Sequence, residues 1–64
     1  MKKRDIYIRY LALAFSLPVA EAGLRFEAVC EATPGIREQC DGELSEEEGL
    51  RLLEALVDGT ADLP

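Results

Sequence analysis

The stretch DGELSEEEGLRLLEALVDG, residues 41–59, decides the reading of this chain. Its first half is acidic and turn-like, and its second half repeats leucine at helical spacing. Ser45 stands just before three glutamates, and Glu48 follows it by three positions. That is the pattern of a capping box: the serine hydroxyl accepts from one orphan amide of the first turn, and the glutamate accepts from the other. Acids in a first turn also suit the positive end of the helix dipole. Gly59 is a natural stop, since glycine adopts the left-handed conformation without a Cβ penalty. The spacing predicts a helix over 46–58. Leu50, Leu53, Leu56 and Val57 form its apolar face with Leu52 at the edge, and Glu47, Arg51, Glu54 and Asp58 form its wet face. Residues 60–64 read as a loose tail in which Leu63 is the side chain able to dock.

Moving toward the N-terminus, residues 36–44 read as a polar connection with room for one short turn of helix. Thr33-Pro34-Gly35 is a turn signal. Before it, residues 18–32 fit a second helix: Val19, Ala22, Phe26, Val29 and Cys30 share one face, and Glu21 with Arg25 makes an i,i+4 pair. Pro18 belongs at the start of such a helix, with Ser16 as its cap. Gly23 costs helix propensity but permits a close crossing. Leu24 and Ala28 fall on the opposite side.

Residues 5–17 form the first predicted helix. Asp5, Arg9, Ala12 and Ser16 make a narrow stripe, with Asp5 and Arg9 paired at i,i+4. Ile6, Tyr7, Tyr10, Leu11, Leu13, Ala14 and Leu17 cover most of the remaining circumference, as in a central helix. A strand through residues 6–11 competes on propensity, but the alanines that follow favour helix. The expected fold class is therefore all-α, a small three-helix bundle or a helical hairpin plus a third helix, in one domain over 1–64.

Size bounds what such a fold can do. A chain of 64 residues buries only about 60% of its unfolded surface, so a partner would supply useful extra burial. The charge is uneven. Residues 1–17 carry +3 and residues 18–64 carry −9, which together give −6. Only the N-terminus offers a cationic footprint, so direct nucleic-acid binding is not expected. A basic protein surface complements the acidic remainder. No run approaches the roughly 20 apolar residues that span a bilayer.

The N-terminal segment imitates a secretory signal, with a basic start, an apolar middle and Ala20-Glu21-Ala22. Asp5 and Arg9 interrupt it, so a cytoplasmic location is expected, with export as the alternative. Cys30 and Cys40 are close enough along the chain for a disulfide, worth about 2–4 kcal/mol. In a reducing compartment they stay free, with Cys30 in the core. Both readings stay open.

No catalytic pattern is present. The chain has no histidine, no phosphate-binding glycine loop and no nucleophile elbow, and a small core leaves little space for a water-excluding cavity. Counted from Arg37, the loop shares with calcium-binding EF-hand loops a glycine at position six, Gly42, and a glutamate at twelve, Glu48. Arg37 and Gln39 stand where the first carboxylates belong, so neither metal nor cofactor is expected. The reading is a non-enzymatic, acidic protein-binding protein acting stoichiometrically as an inhibitor or adaptor of a larger macromolecule, by masking a basic or nucleic-acid-binding surface. Its candidate contacts are Asp41, Glu43, Glu46 and Glu47, which steer the encounter, and Leu24 and Leu52, which anchor it. The alternative is a structural subunit that forms a homo-oligomer through Ile6, Tyr7, Tyr10 and Leu11.

Overall fold

In the computed structural model, which describes residues 1–61, the chain forms four helices. These are α1 (Lys3–Phe15), α2 (Val19–Ala32), the single turn α3 (Ile36–Gln39) and α4 (Glu46–Asp58). The fold is all-α, as expected, with three substantial helices. The described residues hold no strand, only an isolated bridge between Lys2 and Glu43. Leu63 and the rest of 62–64 lie outside the described residues.

α4 has the expected bounds, and both halves of its capping box are made. The Ser45 amide donates to Glu48 Oε1 at 3.0 Å, and the Glu48 amide donates to Ser45 Oγ at 3.1 Å. Gly59 ends the helix in the left-handed conformation, φ 78°. The chain then folds back: the Thr60 and Ala61 amides donate to the Ala55 carbonyl, and Ala61 is half-buried against the core. The start of the expected loose tail is thus tied to α4.

α1 begins two residues earlier than expected and ends two earlier. Its start is set by a distant loop: the Lys3 amide donates to the Gly42 carbonyl (2.9 Å) and the Arg4 amide to the Cys40 carbonyl (3.1 Å). Two amides with no acceptor inside their own helix are thereby satisfied. Its end is set by Ser16, which takes a left-handed φ of 53° while its amide bonds to the Ala12 carbonyl. Ser16 therefore terminates α1. The expectation that it caps α2 is corrected, because Pro18 occupies that position and no side chain caps the helix. Proline suits the place, since it fixes φ and has no amide to satisfy.

α1 lies between α2 and α4, and those two scarcely touch each other. Ile6, Tyr7 and Leu11 of α1 meet Ala22, Phe26 and Cys30 of α2 and Leu56 of α4, with Ile36 and Cys40 completing the core. The Tyr7 and Phe26 rings stack with centroids 6.4 Å apart and planes 9° apart. The close approach between helices is at Gly49, where a Cβ would stand 3.1 Å from Ile6 Cδ1. Gly23, expected to allow a close crossing, has nothing within 4 Å of where its Cβ would be. At the α1–α2 crossing, Ala22 is the small residue, fully covered at 0% exposure.

Candidate interaction surface

The acidic segment 38–48 is largely engaged within the chain. Gly35, with a left-handed φ of 92°, turns the chain into α3, and Ile36 and Cys40 anchor that turn in the core. The loop after it then meets the N-terminus. The Met1 ammonium donates to Glu43 Oε2 at 2.9 Å and to the Leu44 carbonyl at 3.1 Å, and Lys2 Nζ reaches Asp41 Oδ1 at 3.2 Å. Glu47 pairs with Arg51 one turn along α4. Glu48 closes the capping box, and hydrogen bonds from the Ser45 amide, above all, hold its carboxyl below the ordinary glutamate value. Of the acids expected to steer a partner, Glu46 alone has no ion-pair partner among the described residues. Asp41 and Glu43 lock the N-terminus to the loop, although both keep most of their surface in water.

The two leucines expected as anchors separate. Leu24 is 72% exposed, on the side of α2 opposite Ala22 and Phe26. Leu52 is half-buried against the core. They lie on different helices, one exposed and the other largely covered. Among the residues expected to build a shared core between copies, Ile6, Tyr7 and Leu11 are buried within the single chain and Tyr10 is half-buried. The apolar surface of Ile6, Tyr7 and Leu11 is thus covered within one chain, while part of Tyr10 stays open.

Two expected ion pairs are replaced. Asp5 contacts Arg4 at 3.8 Å, and Arg9 has no ion-pair partner among the described residues. Arg25 lies over the Phe15 ring, 5.8 Å from its centroid, and not against Glu21. The thiols of Cys30 and Cys40 are both buried and unbonded. Burial pushes the Cys40 thiol up from its ordinary value, opposed by the Lys3 charge. Among the described residues no group of three or more His, Cys, Asp or Glu side chains is placed to hold a metal ion. No helix there is long and apolar enough to cross a membrane.

What remains open is apolar. Leu50 and Val57, assigned by periodicity to the core face of α4, are 54% and 58% exposed. Their inward places are taken by Gly49 and Leu56. Helical spacing sets Leu50 one turn from Glu46, Glu47 and Glu54, and Val57 one turn from Glu54, so the stripe has an acidic border. Leu13 and Val19 are exposed as well, and Leu13 lines one shallow depression with Val57. The signal for this surface was present in the sequence as a surplus: α4 carries more large apolar residues than one side of a helix can bury. No protein-family model, curated protein or solved structure proved similar to this chain.

Proposed function

We propose that this chain is a non-enzymatic protein-binding protein that acts stoichiometrically, as an inhibitor or adaptor of a larger protein with a basic surface. The observation that carries the reading is the exposed pair Leu50 and Val57 beside Glu46, Glu47 and Glu54 on α4. Exposed apolar side chains on a 64-residue chain are surface that association would bury. The acids around them repel anions and attract Lys and Arg side chains, which speeds encounter and selects partners. Masking a nucleic-acid-binding groove is one form of that chemistry, because such grooves are cationic. Two buried, unbonded thiols suit a reducing compartment such as the cytoplasm.

The test is affinity capture of the chain from its own cell extract at low and high salt, followed by native mass spectrometry. A complex of defined stoichiometry with a larger basic protein, weakened as salt rises, is expected. A bare homo-oligomer at both salt concentrations would replace this reading with the structural-subunit one.

A further inference from the structure

We propose that the exposed stripe of α4 is a docking seam for a single helix of the partner protein, one that carries lysine or arginine along one edge only; this rests on the protein-binding reading above and adds the shape and charge of what binds. Leu50, Leu53 and Val57 are three and four residues apart. At that spacing paired helices seat apolar side chains in one another's gaps. Leu50 and Val57 are mostly exposed and Leu53 is half-buried, so the seam starts at the core and turns outward. It covers about 10 Å of helix axis, or two turns of an occupant.

The two sides of the seam differ, and the difference selects the occupant. At 3.6 residues per turn, Gly49 and Leu56 run along one side and Glu47 and Glu54 along the other. The Gly49–Leu56 side is buried against α1. Beside it Val57 shares a depression of about 210 Å³ with Tyr10, Leu13 and Ala14, and no charged side chain lines it. The Glu47–Glu54 side is exposed. In paired helices these flanking positions choose the partner through its charge. Arg51 is the one cation of α4, and Glu47 already holds it. Glu46, Glu54 and Asp58 are exposed and have no ion-pair partner among the described residues. Arg9 shares a depression with Leu53 on the α1 side, so it does not offset the acids of the outer edge. A fitting occupant has an apolar stripe, cations on the edge that meets Glu54, and uncharged residues on the edge that meets Leu13. It is a helix, because the described residues offer no sheet edge and a helix satisfies its own backbone groups on an apolar surface. A second copy using the same seam brings no cation to the acids. Antiparallel, it sets Glu47 and Glu54 against their own counterparts; parallel, it sets them against the buried Gly49–Leu56 side.

The experiment titrates the full chain with a synthetic helix that carries leucines on one stripe and lysines along one edge, and with its glutamate-edged counterpart, by fluorescence anisotropy and NMR shift mapping. The double variant L50Q/V57Q changes two mostly exposed side chains, so the fold is kept; L24Q, on exposed Leu24 of α2, is the control. The lysine-edged peptide is expected to bind, with shifts on the Leu50–Val57 side of α4 and at Leu13 of α1. L50Q/V57Q should weaken it by about tenfold or more, and L24Q should leave it unchanged. Glu54→Lys should weaken the lysine-edged peptide by about threefold or more and strengthen the glutamate-edged one. No binding, equal binding of both peptides, equal sensitivity to L24Q, or no exchange of preference in Glu54→Lys overturns the seam. So does self-association of the wild-type chain that L50Q/V57Q abolishes, which makes a second copy the occupant. A larger basic protein captured from cell extract equally well by wild type and L50Q/V57Q overturns the seam while keeping the protein-binding reading; absence of any cellular partner overturns that reading itself.

Discussion

Gly49 of α4 lies against Ile6 of α1: a Cβ added at Gly49 would stand 3.1 Å from Ile6 Cδ1 and 2.8 Å from Met1 Sδ. The Met1 thioether is flexible and half in water, so it can move aside. Ile6 is one of the most deeply buried side chains in the chain and cannot. Alanine gains about 1 kcal/mol over glycine in helix propensity, but overpacking a core costs about 1–3 kcal/mol. Gly49→Ala is therefore expected to lower stability by about 1 kcal/mol. Gly23→Ala, with open space around the new methyl, should raise it by about 0.5–1 kcal/mol. Urea denaturation of both variants checks the opposite signs.

The Tyr7–Phe26 stack joins α1 to α2 at the middle of the core. Truncating a buried phenylalanine typically costs about 3–5 kcal/mol, and small domains hold only about 5–15 kcal/mol in total. Phe26→Ala should remove a large share of that stability, so that helix is lost at a clearly lower temperature. Circular dichroism melts should show the shift, and Phe15→Ala, at a mostly exposed ring, should not reproduce it.

The capping box ties stability to acid. Hydrogen bonds from Ser45 lower the Glu48 carboxyl from its ordinary 4.5. A group whose folded value is depressed contributes stability that is complete above the unfolded value and lost as pH falls through the folded one. Melting temperature should accordingly drop below about pH 4.5, with a shallower drop in Glu48→Gln. Ser45→Ala should cost about 1 kcal/mol at neutral pH, seen as frayed amides in the first turn of α4.

The alkaline limb has the opposite sign. Burial raises the Cys40 thiol above its ordinary 9.0 and, with the Cys40 charge nearby, raises the Tyr7 hydroxyl above 10.0. Both groups are neutral when protonated, so the folded state holds its protons more tightly. Stability is complete below the unfolded values and is lost as pH rises through the folded ones. Thermal melts from pH 8 upward should show the decline. A thiol-specific reagent should label Cys40 in urea far faster than in the native chain, since both burial and low thiolate content protect it.

Legibility in the sequence followed the range of the interaction. Ser45, Glu48 and Gly59 fix α4 through bonds spanning three or four residues, and its boundaries were readable to the residue. The first turn of α1 depends on carbonyls at Cys40 and Gly42, some forty residues away, and no local pattern announces that. Ser16 resembles a cap in sequence but ends α1 in a left-handed conformation that serine rarely prefers. The acidic cluster read as free charge, because nothing in 38–48 reveals that Met1 and Lys2 fold back onto Glu43 and Asp41. Leu50 and Val57 fit a core stripe by periodicity, yet the single helix beside α4 covers only the Gly49–Leu56 side.

That α2 and α4 scarcely touch except through α1 sets how this chain comes apart. α4 fills the core with Gly49 and Leu56 and the inner edges of Leu52 and Leu53, whereas α2 brings Ala22, Phe26 and Cys30 and the ring stack. Undocking α4 would therefore leave the Tyr7–Phe26 stack in place, whereas separating α1 from α2 would break it. Hydrogen exchange should resolve two cooperative units, with α4 amides opening through a partial event and the middle of α1 exchanging only on complete unfolding. In the partly open state Ile6 would lose its cover, and the chain would show a second, transient face that the closed molecule conceals.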